Sequence, residues 1–91
     1  MVSDIPVPRV KSMISLREEF DDWALLFNPD TGKVVGLTPS AVTIWKCMTQ
    51  GSSYEAIVTT IRDEFENTPQ DPEEDIRNFF ADTIRHGYAE A

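Results

Sequence analysis

Between Trp23 and Trp45, two short apolar runs joined by turn residues lead straight into a capped helix, and this order limits the possible folds more than any other feature of the chain. Trp23-Ala24-Leu25-Leu26-Phe27 reads as one strand, Asn28-Pro29-Asp30-Thr31-Gly32 as a turn, and Lys33-Val34-Val35-Gly36-Leu37 as the return strand. Thr38 then offers its hydroxyl to an unpaired helix amide. Pro39, at the first helical position, has no N–H to leave unsatisfied and a φ that is already set. A chain that places its strands early and then turns helical builds a small sheet covered by helices on one side. Such a sheet keeps an open edge, and the return strand is the candidate for it.

With 91 residues the chain has room for one modest core and none for a separate catalytic lobe. Its 41% hydrophobic content is ordinary for a globular protein. The formal net charge of −8 opposes association with phosphate backbones, whose binding draws on Lys and Arg displacing counterions. The acidic groups cluster at Glu18-Glu19, at Asp21-Asp22 and from Asp71 to Asp75. Solvated turns and helix capping account for them, with a docking surface for a basic partner as the alternative. No signal-peptide core and no apolar run of membrane length is present, which points to a cytoplasmic protein with no membrane partner.

Along the chain, Ile5-Pro6-Val7-Pro8 forbids a helix and predicts a loosely held, proline-containing arm over residues 1–11, ahead of a domain over 12–91. From Met13 to Arg17 the residues alternate, with Ile14 and Leu16 on one face, as in a half-buried strand. An acidic turn without Gly, Asn or Pro joins it to the Trp23 strand. The spacing predicts strands near 12–17, 23–28 and 33–37 and helices near 39–50, 53–66 and 72–86. Ala41, Ile44, Trp45 and Met48 form the apolar stripe of the first helix, with Trp45 as a core anchor and Cys47 as a small core side chain. Gly51 ends it as a left-handed cap, and Ser52 with Glu55 suggests a capping box for the second.

Tyr54, Ile57, Val58, Ile61 and Phe65 make the stripe of the second helix, and the polar run 67–70, with Pro69, separates it from the third. Asp71-Pro72-Glu73-Glu74 starts that third helix with a cap, a proline and early carboxylates against the dipole. Its stripe of Ile76, Phe79, Phe80, Thr83, Ile84 and Tyr88 is wider than one packing contact needs. Ile76, Phe80 and Ile84 read as core, whereas Phe79 and Thr83, at the stripe's edge, are candidates for lining a groove beside the sheet. His86, before Gly87, reads as part of the helix stop.

No phosphate-binding glycine loop, nucleophile triad or metal-spaced His/Cys cluster can be assembled, and with one His and one Cys the carboxylates have little to pair with. The expectation is therefore a binding module without catalytic residues, metal or cofactor.

The aliphatic strand ending at Leu37 is followed by Leu37-Thr38-Pro39-Ser40-Ala41, by Ile44-Trp45, by the break at Gly51 and by a last helix closing as Arg85-His86-Gly87-Tyr88. In this order and spacing the chain, from Ser12 to Glu90, resembles the PqqD family, small proteins of pyrroloquinoline quinone and ribosomal-peptide maturation. The family's common Asn is Thr38 here, which the capping role tolerates, and Tyr88 stands where an aliphatic residue is usual. The resemblance implies an α+β fold of winged helix-turn-helix type: a three-stranded antiparallel meander followed by three helices. It implies a partner, the leader of a precursor peptide, that adds as a strand to the third strand and is presented to a modifying enzyme, often a radical S-adenosylmethionine enzyme. Carried onto this chain, the receiving strand is Lys33, Val34, Val35, Gly36 and Leu37, and the facing helix positions are drawn from Ile76, Phe79, Phe80 and Thr83.

The residues themselves allow the same mode, since an open strand edge offers main-chain hydrogen bonds and pockets for alternate side chains. Gly36 either leaves one side of that strand open or marks a bulge or close packing. Two other functions compete. A winged-helix DNA-binding regulator conflicts with five carboxylates against two arginines in the third helix, counted from Asp71. An enzyme-docking subunit that carries no peptide has no distinguishing sequence feature. The open edge and the arm allow either a monomer or a weak or swapped homodimer.

Overall fold

The computed structural model describes residues 5–65 and 72–91. The elements run β1 (Arg9–Val10), β2 (Ser15–Glu18), a 3₁₀ turn (Phe20–Asp22), β3 (Ala24–Asn28), β4 (Lys33–Leu37), α1 (Pro39–Thr49), α2 (Tyr54–Glu64), α3 (Pro72–Arg85) and β5 (Ala89–Glu90). This is the expected α+β arrangement, with a three-stranded antiparallel sheet in the order β2-β3-β4 followed by three helices. The register sets Leu26 opposite Leu16 and Val35, and Ala24 opposite Glu18 and Leu37. Directly opposed residues share a face. Ala24, Leu26 and Leu37 are buried, so the even-numbered side chains of β3 look toward the helices while Trp23, Leu25 and Phe27 look away.

The β3–β4 turn is organised by Asn28. Its buried side chain accepts the Asp30 amide at 2.9 Å and its carbonyl accepts the Gly32 amide at 2.8 Å, with Gly32 at φ 74° closing the turn. In the acidic turn between β2 and β3 it is Asp21 and Asp22 that adopt left-handed φ, 61° and 63°. Aspartate tolerates that region better than most residues do, which is how the turn closes without glycine or asparagine.

Thr38 caps α1 as expected, its hydroxyl accepting the Ala41 amide at 3.3 Å, with Pro39 the first helical residue. At the far end Gly51 takes φ 78°, and the amides of Gly51 and Ser52 bond back to Met48 and Cys47. This is a Schellman stop. Because the Ser52 amide is already engaged in that stop, the cap of α2 falls one residue later than the capping-box expectation. Ser53, not Ser52, accepts the Ala56 amide at 3.2 Å. Residues 67–70 and Asp71, read as a break and a cap, lie outside the described residues.

Trp45 sits in the core, 2% exposed, among Leu26, Ile44, Met48, Ile57, Ile61, Ile76 and Phe80. Cys47, also on α1, is buried as expected. Ile84, assigned to the core from its spacing, is instead 40% exposed. The buried face of α3 is centred on Ile76, Phe80 and Thr83, and at 100° per residue Ile84 falls past its far edge. A polar clamp joins α3 to α2. The Tyr54 hydroxyl donates to Glu73 at 3.1 Å and accepts from Arg77 at 3.3 Å, Arg62 donates to Glu73 at 3.2 Å, and the Tyr54 ring meets Phe80 edge-on.

The expectation of a loose arm is corrected for residues 5–11. Ile5, Val7 and Val10 pack against the core, Pro8 is buried, and Arg9–Val10 pairs antiparallel with Ala89–Glu90 in a second, two-stranded sheet. The Lys11 amide adds a bond to the Tyr88 carbonyl at 3.1 Å. Two-residue strands leave almost no periodic signal, so neither was legible beforehand. Among the described residues no helix is long and apolar enough to cross a membrane.

Trp45→Ala is expected to cost about 3–5 kcal/mol, against a total of roughly 5–15 kcal/mol for a domain. A melting temperature lowered by only a degree or two would refute the anchor role. Burial of the Tyr54 phenol, reinforced by its hydrogen bond to the Glu73 carboxylate, raises its pKa above the usual 10.0. Folding then favours the protonated phenol, so this stabilisation is complete below pH 10 and is lost as pH rises through the folded value. Denaturant titrations at neutral and at strongly alkaline pH should show a smaller alkaline loss in Tyr54→Phe than in the parent.

Candidate functional site

β4 is an edge strand, and which of its main-chain groups are free follows from the ladder. The Glu19 amide bonds to the Trp23 carbonyl at 2.7 Å, so in β3 the odd-numbered residues exchange hydrogen bonds with β2. Antiparallel pairs alternate, so Ala24, Leu26 and Asn28 turn their N–H and C=O toward β4 and bond with Leu37, Val35 and Lys33. The main-chain groups of Val34 and Gly36 consequently point out of the sheet. Among the described residues no strand pairs with that side.

Beside this edge lies a groove of about 220 Å³ lined by Leu26, Val35, Gly36, Leu37, Thr38, Ala41, Phe79, Asp82, Thr83, His86 and Tyr88. One wall is β4, the other is α3, and the first turn of α1 closes one end. Its direction can be read from Gly87, where a Cβ would sit 3.9 Å from Asn28 Nδ2. The C-terminal end of α3 therefore lies by the β3–β4 turn, and Phe79 lies toward Leu37 and Thr38. α3 stops there by a second Schellman arrangement, with Gly87 at φ 79° and the Gly87 and Tyr88 amides bonded to Ile84 and Thr83. That stop turns the buried Tyr88 into the groove wall and sends the chain on into β5.

The structure brings together five of the nine residues named from the sequence: Val35, Gly36, Leu37, Phe79 and Thr83 all line the groove. Val34 is on the same strand but turns its side chain to the opposite face, beside Phe27. Lys33 stands exposed at the turn end of β4, opposite Asn28. Ile76 and Phe80 are separated from the groove: Ile76 has no exposed surface and Phe80 only 5%. Both are taken up by the core. Thr83 is itself buried, its hydroxyl donating to the Phe80 carbonyl at 2.7 Å, so it supplies floor and no free donor.

Gly36 is neither in a bulge nor in a tight contact. The β3–β4 register runs through it unbroken, and a Cβ there would meet only Leu25, at 3.9 Å.

Sequence reasoning missed Asp82 and His86. They follow Phe79 at spacings of three and seven on one flank of α3, so the helical period that selected Phe79 also selects them. Asp82 accepts a hydrogen bond from Arg85 on the groove's outer lip. The groove is thus apolar near Leu37 and Phe79 and polar near His86.

Comparison with known proteins bears on this architecture. No curated protein matches the chain. The solved structure of TbiB1 in complex with the TbiA(beta) leader peptide is similar at a TM-score of 0.75 and 24% identity, with 91% of this chain and 95% of that chain covered. Lasso peptide synthetase B1 complexed with the leader peptide is similar at a TM-score of 0.77 and 23% identity, with coverage of 91% and 96%. Both likenesses concern the fold. The family described as coenzyme PQQ synthesis protein D matches residues 24–88. Matched over more than half of its length, the chain belongs to the PqqD family.

Proposed function

We propose that this chain binds the leader region of a ribosomally synthesised precursor peptide as an added strand on β4 and presents it to a modifying enzyme, a radical S-adenosylmethionine enzyme. The observation that carries the reading is the outward main chain of Val34 and Gly36 next to the Phe79 groove. Each of those two residues offers one donor and one acceptor. A peptide running antiparallel to β4 makes four hydrogen bonds there, each with a net value of about 0.5–1.5 kcal/mol. The peptide side chain opposite Val35 then shares its face and enters the groove, and its neighbours look away. Both similar solved structures are complexes with leader peptides, which supports the same occupant here. In this reading the chain is an accessory protein, and the chemistry belongs to the partner.

The winged-helix DNA-binding alternative finds no support in α3, whose buried face is spent on the core and whose first turn carries Glu73, Glu74 and Asp75.

The ladder decides where proline acts. Val34→Pro removes an outward donor and no sheet hydrogen bond, so the fold should persist while leader affinity falls about tenfold, the equivalent of roughly 1.4 kcal/mol. Val35→Pro removes a bond to β3 and should unfold the hairpin instead. Circular dichroism together with calorimetric titration of the leader encoded with the chain separates the two outcomes. If Val34→Pro binds as tightly as the parent, strand addition at this edge is wrong.

Phe79→Ala should weaken leader binding with a smaller loss of melting temperature than Trp45→Ala. In labelled protein, saturating leader should move the amides of residues 33–37 and 79–86 together. Movement confined to residues 18–22 would favour docking without peptide carriage.

A further inference from the structure

The face of the three-stranded sheet turned away from the helices has no cover among the described elements, and it is apolar. Trp23, Leu25 and Phe27 follow one another along β3 at alternate positions, and Val34 stands directly opposite Phe27. Trp23 is 49% exposed, Phe27 40% and Val34 56%. Leu25 is half-buried, and its partner across the ladder is Gly36, which leaves it uncovered on that side. Single exposed apolar residues need no explanation, but a contiguous set on one flat face marks a contact surface.

Charge is distributed unevenly around this face. Arg17, opposite Leu25, has its guanidinium tied to Glu19 at 3.1 Å. Just before Trp23, the 3₁₀ turn leaves Asp21 exposed and without an ion pair among the described residues, whereas Asp22 lines a pocket with Glu18, Thr43 and Lys46 on the helix side of the sheet.

A second copy of the chain is a poor occupant. The face is small, since three strands about 4.8 Å apart and five residues long cover roughly 240 Å², against about 800 Å² per partner in a stable interface, so a contact made through it by any occupant is transient. Stacking two copies would also bring together two chains that each carry a net charge of −8. The complementary occupant is a different protein, apolar where it meets Trp23 and Phe27 and basic where it meets the turn.

We infer that the Trp23–Leu25–Phe27–Val34 face docks the modifying enzyme, through an apolar surface edged by a lysine or arginine that faces Asp21. The identity of the partner rests on the peptide-carrying reading; the surface itself does not. The groove lies across the sheet from this face, so peptide and enzyme are held at once, and the small area makes the contact transient.

The test uses the full chain in the cells that express it, with p-benzoylphenylalanine in place of Phe27. The photocrosslinked protein is identified, purified and titrated against the parent chain, against a Trp23→Thr, Phe27→Thr double variant and against an Asp21→Asn variant. The expected result is an enzyme acting on the precursor peptide whose affinity falls at least tenfold in the first variant. In the second variant its salt dependence becomes shallower, and calorimetric leader affinity stays within twofold in both. Crosslinking only to another copy of this chain, no crosslink, or an enzyme that binds the Trp23→Thr, Phe27→Thr variant as tightly as the parent would overturn the inference. Loss of enzyme affinity in that variant, together with a leader that moves no amide of β4, would uphold the docking face and remove the peptide reading.

Discussion

β3 is bonded on both sides, and the parity of its residues governs the rest of the molecule. The residues whose main chain bonds to β4 are the ones whose side chains enter the core, Ala24, Leu26 and Asn28. Through the ladder this fixes β4 one step out of phase: Val35 and Leu37 turn inward with both main chain and side chain, and Val34 and Gly36 turn outward with both. Slipping the register by one residue would bury Phe27 and Leu25, expose Leu26 and move the free donors to Val35. The burial of Leu26 with no exposed surface holds that register in place.

What could be read in advance follows from the same logic. The hairpin, the Thr38-Pro39 helix start, the Gly51 stop and the burial of Trp45 each had a local signal strong enough to survive tertiary packing. The signals failed where two local rules competed or where no period existed. Ser52 satisfies a capping-box pattern, yet its amide belongs to the preceding helix stop, so Ser53 takes the cap. Ile84 fits a 3.6-residue stripe when the stripe is drawn broadly, but the helix buries only one flank of it. Asp21 and Asp22 close a turn in a conformation more often supplied by glycine, and the pairing of β1 with β5 joins residues too far apart in sequence for any local pattern to reveal.

The candidate groove was half legible for a related reason. The sequence points to a strand edge and to an apolar stripe with Ile76 and Phe80 in the core and Phe79 at its edge, but not to how far the groove runs along α3. The seating of α3 keeps Ile76 and Phe80 in the core as their spacing implies, turns Ile84 outward and leaves Phe79, Asp82 and His86 along the groove. It is set by the Tyr54–Glu73–Arg77 clamp at one end of the helix and by the Gly87 stop at the other. The Gly87 stop has a local signal but the clamp has none, so the polar end of the groove appears only once the helix is seated.

The pairing of Val10 with Ala89 reaches into folding kinetics. Two residues per strand cannot hold a sheet together unaided, so this clasp forms only after β2, β3 and the helices have brought its halves within reach. The Lys11 amide ties the clasp to Tyr88, and Tyr88 is groove wall. Tyr88 is thus held from two sides, by its own amide on the Thr83 carbonyl in the α3 stop and by its carbonyl through the clasp, so the amino-terminal segment adds a non-local restraint to a wall that the helix end already positions.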